Sequence, residues 1–296
     1  MLLESAVPSS VCPATAPTAR AEGSPQPSLR RLEAEPQQRY WICAPRRCLA
    51  AGARPAGVLV SVHGISRNAG AHARTLAPLA DALGLVLVAP HFSRRRFPDY
   101  QRLGRPARLG DGGRADLMLL RIVEAVRQEF GLAQQPFLLA GHSGGAQFAL
   151  RFALAHAEHV AGYVLSAPGS YCWPDEGRRF PIGVAPSPAF PDLRPSLDAL
   201  LRRPGLVLVG GLDDGRDDAL RQGAGIDGLQ GRTRLERARR WVAAIGERAH
   251  RLGQACAVRL RVIEGCGHGY RELAGSAAWR DAVVQHLAGC AGNGGH

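Results

Sequence analysis

Six short apolar runs, separated by segments of helical periodicity, constrain the fold of this chain more than any other feature. VLVSVHG (58–64), LVLVAP (85–90) and PFLLAGH (136–142) lack polar alternation, which is typical of strands buried on both faces. Strands that alternate with helices predict an α/β fold, with a mostly parallel sheet and helices on both faces. The other strands are predicted at 160–166, 205–210 and 257–265, and the helices at 70–83, 114–130, 144–158, 232–253 and 277–289.

Residues 1–38 differ in composition from the rest of the chain. They are rich in Pro, Ala, Ser and Glu and show no sustained periodicity, so we predict a disordered N-terminal segment. Order is predicted to begin near Arg39, where RYWICAP forms an edge strand that ends at Pro45. Residues 39–291 then form one domain. Within it, residues 167–203 are rich in Pro and aromatic residues and are predicted to form a short cap inserted after the fourth buried strand.

Composition excludes several classes of protein. The 296 residues are 46% hydrophobic and 21% charged, which rules out a collagen, a disulfide scaffold and a chain disordered throughout. All 37 basic residues are Arg against 25 acidic residues, and the net charge of +12 leaves a polyanionic partner open. Aromatic residues make up only 6%, and no basic stripe is interleaved with them, so no nucleic-acid partner is expected.

The cysteines and the first residues bear on the compartment. Seven Cys, an odd number without a CxxC pair, are typical of free thiols in a reducing compartment. The opening MLLESAVPSS lacks the basic and apolar regions of a signal peptide. No apolar run approaches the roughly 20 residues of a membrane-spanning helix, so no membrane span is expected. These features predict a cytoplasmic protein.

A G-x-S-x-G pentapeptide, Gly141–Gly145, joins the third buried strand to the following helix. Because the chain has 36 Gly, the pentapeptide alone is weak, and a Gly-rich connection with an incidental serine is the alternative. Its position between strand and helix is that of a nucleophile elbow, where glycines permit a sharp turn that raises the serine above the sheet. Ligands of such sheets bind beyond the carboxyl ends of the strands. Ser143 is therefore the predicted nucleophile.

A serine hydroxyl needs a base, and the base needs a carboxylate to orient it. His268 lies in the Gly-rich loop after the last strand, so we predict it as the general base. The loop after GLVLVG contains Asp213, the first carboxylate beyond that strand and the preferred acid. Asp214, its neighbour, and Asp175, in the loop after the preceding strand, remain alternatives.

The predicted nucleophile also needs backbone donors for the negative charge that develops on the reacting carbonyl. One donor is the N–H of Gly144, directly after the nucleophile. The other is expected from the loop after the first buried strand, where the His63–Gly64 turn presents the N–H of Ile65. His63 itself is expected to shape the turn. No metal ligand set is evident, because the D-x-[DN]-x-[DN]-G spacing of a calcium loop is absent, and no cofactor is expected.

Four motifs in this order resemble the alpha/beta-hydrolase superfamily over residues 39–290. VSVHGISRNA is similar to its oxyanion loop, LLAGHSGGAQFALRFA to its elbow, VLVGGLDDG to its acid loop and VIEGCGHGY to its histidine loop. Within the superfamily, RYWICAP and the His-Gly loop resemble small esterases related to polyhydroxybutyrate depolymerases and feruloyl esterases. The resemblance implies a serine hydrolase that cleaves a carboxylic ester, or a related small acyl substrate, through an acyl-enzyme on Ser143.

Several functional alternatives remain open at this point. The same triad serves peptidases, thioesterases and acyltransferases, and a binding module on a hydrolase fold is the non-enzymatic alternative. The run Arg94–Arg96 follows the second buried strand, so it either attracts anionic substrates or forms a solvated loop. The aromatic residues of the predicted cap either line an acyl or alcohol pocket or pack the cap onto the sheet; they are Tyr171, Trp173, Phe180 and Phe190.

Overall fold

The computed structural model describes residues 26–51 and 53–292, and within these ranges the chain forms eight strands and nine α-helices. The strands are β1 (Ser28–Leu32), β2 (Glu35–Cys43), β3 (Gly57–Val62), β4 (Leu85–Pro90), β5 (Phe137–His142), β6 (Val160–Ser166), β7 (Gly205–Gly210) and β8 (Val258–Ile263). The helices are α1 (Arg46–Ala51), α2 (Ala69–Leu83), α3 (Ala115–Phe130), α4 (Gly144–Ala155), α5 (Leu197–Leu201), α6 (Ala224–Gln230), α7 (Arg234–Arg251), α8 (Tyr270–Gly275) and α9 (Ala277–Gly292).

All eight strands form one sheet in the order β1-β2-β4-β3-β5-β6-β7-β8. The strands from β3 to β8 are parallel, and β1 and β2 add an antiparallel hairpin beside β4. In the centre, Leu59 of β3 pairs with Leu87 of β4 and Leu138 of β5. The predicted α/β class and mostly parallel sheet are confirmed, because the apolar strands without alternation, β3 to β7, need helices over both faces.

The strand sequences separate two hydrophobic cores, one on each face of the sheet. In β7, Val207 and Val209 face the core that contains α3, α4 and α7, whereas Leu206 and Leu208 face the core that contains α2, α8 and α9. The same division recurs in β3 and β4, since successive side chains of a strand point to opposite faces. At the free edge, β8 exposes Arg259 and Arg261, which protect the unpaired edge from association.

The start of the ordered domain differs from the prediction. The boundary at 38/39 is wrong, because β1 and β2 already occupy residues 28–43 and pair with each other and with β4. The strands are polar on their exposed side and lack a continuous apolar run, so composition did not reveal them. Ion pairs with Arg96 and Arg121 hold Glu35, at the start of β2, to the rest of the domain. The earlier part of the predicted segment, residues 1–25, lies outside the described residues.

The predicted cap, residues 167–203, packs closely against the domain. Outside α5 it contains no regular helix or strand, and an isolated bridge joins Arg179 to Ala185. Tyr171 stacks on Trp241 of α7 with ring centroids 4.9 Å apart, and Phe180 meets Phe190 edge to face at 5.4 Å. Three of the four aromatic residues singled out in this segment are thus buried in the core, which favours packing as their main role.

The structure bears on two sequence features, the cysteines and the lack of long apolar runs. Six cysteines belong to the described residues, and all six are free thiols. Among the described helices, none has both the length and the apolar character needed to cross a bilayer. The cytoplasmic location and the absence of a nucleic-acid partner stay predictions.

We predict that a methyl group at Gly145 disrupts the junction between sheet and α4. A Cβ there would lie 2.0 Å from the carbonyl oxygen of Val62, so Gly145→Ala should lower the free energy of unfolding by about 3 kcal/mol or more. Gly246 in α7 is the matched control, since nothing lies within 4 Å of its Cβ position. Gly246→Ala should raise stability by up to about 1 kcal/mol. Urea unfolding of both variants tests this; equal stabilities would contradict it.

Candidate active site

Ser143 occupies the turn between β5 and α4 in a strained backbone conformation. Its φ of 53° and ψ of −114° lie in a region that non-glycine residues rarely adopt. Two hydrogen bonds hold the turn: the Ser143 N–H donates to Ser166 O at 2.8 Å, and the Gln147 N–H donates to Ser143 O at 3.1 Å. The predicted elbow is therefore a sharp turn at the carboxyl edge of the sheet.

The structure brings together the three residues predicted to form a triad. Ser143 Oγ lies 3.1 Å from His268 Nε2, and His268 Nδ1 lies 2.8 Å from Asp213 Oδ2. An ionised carboxylate only accepts hydrogen bonds, so Nδ1 carries the proton and Nε2 is free to accept from the serine hydroxyl. The alternatives lie elsewhere, with Asp214 exposed and Asp175 paired with Arg178 at 2.8 Å.

Close backbone packing places the acid loop beside the histidine loop. A Cβ on Gly210, the last residue of β7, would lie 2.2 Å from Cys266 O, so only glycine fits there. The Leu212 N–H donates to the same carbonyl at 2.9 Å, and the Gly211 N–H donates to Ile263 O at 2.9 Å. These bonds fix the Asp213 backbone relative to the loop that carries the imidazole.

The second oxygen of Asp213 binds Arg234, a residue that the sequence analysis missed. Arg234 Nη1 donates to Asp213 Oδ1 at 3.2 Å, and the guanidinium also holds Asp217 through bonds of 2.8 and 2.9 Å. Asp213 and Arg234 are both buried. A buried carboxylate without a partner is costly, so the pair with Arg234 stabilises Asp213 and orients its carboxylate toward His268. Nothing in the sequence singles out this residue among 37 arginines.

The two predicted backbone donors lie beside the elbow. The Ile65 side chain packs over Gly144, because its Cγ2 would be 3.0 Å from a Cβ at that position. Gly64 also lies close to the elbow, because a Cβ on it would be 3.5 Å from Ser143 Cβ. Within residues 26–51 and 53–292, neither the Gly144 N–H nor the Ile65 N–H donates to a protein acceptor. Both donors are therefore available to a ligand oxygen.

His63 shapes the loop that carries Ile65. Its Nε2 accepts the Phe92 N–H at 3.0 Å, which assigns the proton to Nδ1, and Nδ1–H donates to Gly64 O at 2.8 Å. The Tyr100 hydroxyl donates to His63 O at 2.8 Å, and the Arg67 guanidinium lies 4.2 Å from the Tyr100 ring centroid. These contacts fix the loop from three sides, as expected for a structural role of His63.

Two further histidines and a tyrosine form an aromatic wall behind His268. His142 lies 5.1 Å from both His268 and Tyr270, and Tyr270 stacks on His72 at 3.7 Å, measured between ring centroids. Burial lowers the pKa of His142 well below its usual value and that of His72 to about 3. The wall is neutral near pH 7, so no second imidazolium competes for Asp213. In the described ranges no three His, Cys, Asp or Glu side chains are grouped as metal ligands.

The fold matches solved structures of known enzymes. Poly(aspartic acid) hydrolase-1 from Sphingomonas sp. KT-1 matches with a TM-score of 0.73 and 22% identity, covering 88% of this chain and 99% of that one. The poly(3-hydroxybutyrate) depolymerase from Bordetella parapertussis matches with a TM-score of 0.68 and 23% identity, covering 89% of each chain. The chain has the alpha/beta-hydrolase fold.

The chain is also similar to the solved structure of the S-formylglutathione hydrolase from Agrobacterium tumefaciens. Its TM-score is 0.52 at 18% identity, covering 87% of this chain and 90% of that one. No protein-family model matches the sequence, and no curated protein matches it. The resemblance predicted from four short motifs is thus confirmed at the level of the fold, which the structures share at low sequence identity.

The Arg94–Arg96 run lies in the loop after β4 of this alpha/beta-hydrolase fold. Arg96 is buried and binds Glu35 and Gln38 of β2, and Arg95 pairs with Asp111 at 2.7 Å. Most of the charge of this run is therefore neutralised. Its main role is to fasten the loop to the antiparallel hairpin rather than to attract an anion.

We predict that stability falls in acid because several buried histidines are neutral in the fold. Burial lowers the pKa of His63 and of His72 to about 3, from 6.5 when exposed. Below pH 6.5 the unfolded chain binds the extra protons, so stability is full above 6.5 and is lost as the pH falls. Each such group costs up to about 1.4 kcal/mol per pH unit.

Urea unfolding between pH 7.5 and 5 tests this loss. His72→Phe keeps the stacking on Tyr270 and should reduce the slope below pH 6 by about 1.4 kcal/mol per pH unit. His250→Gln, at an exposed position in α7, should leave the slope unchanged. A wild-type stability that stays constant from pH 7.5 to 5 would contradict this prediction.

Proposed function

We propose that this chain is a serine hydrolase that cleaves carboxylic esters of small molecules through an acyl-enzyme on Ser143. The observation that carries the proposal is the hydrogen-bonded series from Ser143 Oγ through His268 to Asp213 Oδ2, with distances of 3.1 and 2.8 Å. The series begins at a strained elbow beside two N–H groups without protein acceptors. The alpha/beta-hydrolase fold and the names of similar structures, a depolymerase and two hydrolases, support the same class of reaction.

The first half of the proposed reaction forms the acyl-enzyme. Ser143 Oγ attacks the ester carbonyl carbon while its proton moves to His268 Nε2, and Asp213 stabilises the resulting imidazolium. The carbonyl oxygen becomes an oxyanion, which accepts hydrogen bonds from the N–H groups of Gly144 and Ile65. When the tetrahedral intermediate collapses, the bond to the alcohol breaks and His268 donates its proton to the leaving oxygen.

The second half hydrolyses the acyl-enzyme and restores the serine. His268 accepts a proton from water, whose oxygen attacks the acyl carbon of the Ser143 ester. Collapse of the second intermediate releases the carboxylic acid, and the proton on Nε2 returns to Ser143 Oγ. Arg234 and the aromatic wall of His72, His142 and Tyr270 support both halves. Arg234 pairs with Asp213, and the neutral imidazoles of the wall leave Asp213 to His268.

Fluorophosphonate labelling tests the nucleophile. Wild-type protein should be labelled covalently, and Ser143→Ala should lose the label while its urea-unfolding midpoint shows that it stays folded. Ser187→Ala, in the segment between β6 and α5, is the matched control and should label like wild type. Retained labelling of Ser143→Ala would refute the assignment. A panel of p-nitrophenyl esters of graded length, with a p-nitroanilide and a thioester, then separates ester hydrolysis from peptidase or thioesterase activity.

Adjacent carboxylates allow a direct test of the acid. Asp213→Asn removes the charge that fixes the His268 tautomer, so kcat on a p-nitrophenyl ester should fall by roughly 10⁴-fold. Asp214→Asn changes an exposed side chain one residue further on and should keep kcat within about twofold, the scale of ordinary surface substitutions. Equal rates for the two variants would show that neither assignment of the acid is right.

A further inference from the structure

A cavity of about 210 Å³ lies between α4, α6 and the segment after β6. Three arginines line it, and none of the residues that line it is Asp or Glu. Apolar side chains complete the wall. The lining includes Arg151, Arg178 and Arg221 together with Ile182, Ile226 and Leu229. A mixed cationic and apolar lining of this kind suits an organic anion better than an inorganic ion.

Arg151 is the most buried of these cations, with 1% of its surface exposed. Its Nε donates to Pro181 O and its Nη1 to Gln147 O, both at 3.0 Å. In the described part of the chain no carboxylate pairs with it. Burial lowers the pKa of Arg151 to about 10, so the group is still charged near pH 7. The charge of Asp99 partly opposes this effect of burial, but no described carboxylate lies within ion-pair distance of the guanidinium. Because buried charges are ordinarily paired directly, a bound carboxylate would supply the missing partner.

Positive charge exceeds negative charge around Arg151, although Asp175 pairs with Arg178 of the cavity wall at 2.8 Å. Arg221 is exposed at the rim of the cavity and forms no ion pair with any residue that the structure describes. Asp99 is shared by Arg102, at 3.3 Å, and Arg105, at 2.6 Å, so one positive charge of that group is not balanced. An anion that approaches the cavity is therefore attracted both by its wall and by its rim.

Helix α4 and the residues after β6 contribute to the cavity wall and also lead back to the elbow. Arg151 lies eight positions after Ser143, which is about 12 Å along a helix axis. Ser170, in the cavity wall, donates from Oγ to Gln147 Oε1 at 2.8 Å, and Gln147 lies one turn from the nucleophile. The cavity thus lies at a distance that the acyl chain of an extended substrate would span.

We propose that this cavity binds a carboxylate of the substrate, so that the enzyme prefers acyl esters with a free carboxylate roughly 12 Å from the scissile carbonyl. The apolar residues would hold the intervening chain, and Arg151 and Arg221 would bind the carboxylate. This substrate class rests on the proposed ester hydrolysis at Ser143.

Matched pairs of substrates test the preference. Each pair consists of a mono-p-nitrophenyl ester of a dicarboxylic acid of six to fourteen carbons and the same ester with its far carboxylate methylated. The ratio of kcat/KM, anionic over neutral, should exceed one in wild type and peak at the chain length that spans the distance. Arg221→Gln should lower the peak ratio about tenfold, the effect of one lost charged hydrogen bond.

Further variants separate binding from structure. Arg151→Met should lower the ratio in the same way, and the exposed Arg221→Gln keeps the test valid if the buried substitution prevents folding. Arg239→Gln, an exposed position on α7 outside the cavity, is the matched control and should leave the ratio unchanged. A ratio near one at every length, or an equal loss in Arg239→Gln, would overturn the proposal.

A binding measurement keeps this proposal distinguishable from the proposed function. Thermal unfolding of Ser143→Ala protein is followed with sodium adipate and with sodium chloride at equal ionic strength. A rise in Tm that is specific to adipate and lost in the Ser143→Ala, Arg221→Gln double variant supports a carboxylate site even if no ester is cleaved. Adipate binding without any preference for anionic esters overturns the substrate assignment, and the absence of both effects overturns the site itself.

Discussion

The contact on which the rest of the site depends is the backbone of α4 against the ends of β3 and β5. Positions 141 and 145 accept no side chain, because a Cβ would lie 2.3 Å from Gly145 O in one case and 2.0 Å from Val62 O in the other. This contact brings the first turn of α4 directly onto the sheet. The chain can enter the helix only through a sharp turn, and the strained φ and ψ of Ser143 are the consequence. The loop that carries Ile65 is near because it continues β3, the strand that Gly145 touches.

Electrostatics then decide which groups around the elbow carry charge. Arg234 pairs with Oδ1 of Asp213 in a buried site, and Oδ2 remains free to accept a hydrogen bond from His268. The other imidazoles nearby are desolvated, and burial lowers the pKa of His63 and His72 to about 3. His268, by contrast, is partly exposed at the carboxyl edge. In the proposed reaction, this difference in burial, rather than residue type, directs the proton to His268.

Sequence periodicity predicted the central sheet because buried parallel strands have a pattern that few other elements share. The strand pattern predicted β3 to β8 and the loops that follow them. It therefore also predicted the places of Ser143, Asp213 and His268. The hairpin β1–β2 was missed because its exposed side is polar, and its stability comes from pairing with β4 and from Arg96. Arg234 was missed for another reason: its role depends on a contact across 21 residues, and periodicity carries no information on which side chains meet across the fold.

The positions of the arginines in the fold show which of the excess positive charges are already paired with carboxylates. Arg96, Arg234 and Arg237 are buried and each faces a carboxylate, so they are structural cations inside the fold. Arg127 and Arg151 donate only to uncharged acceptors, and a nearby acid, Glu124 for Arg127 and Asp99 for Arg151, opposes the fall that burial causes in each pKa. Arg151 in addition faces a cavity whose wall contains Arg178, which pairs with Asp175, and Arg221. The net charge of +12 therefore says little about where in the fold positive charge is available to a ligand. The relevant quantity is local, because a buried cation that faces a cavity without an ion-paired carboxylate constrains the proposed ligand more than many solvated charges do.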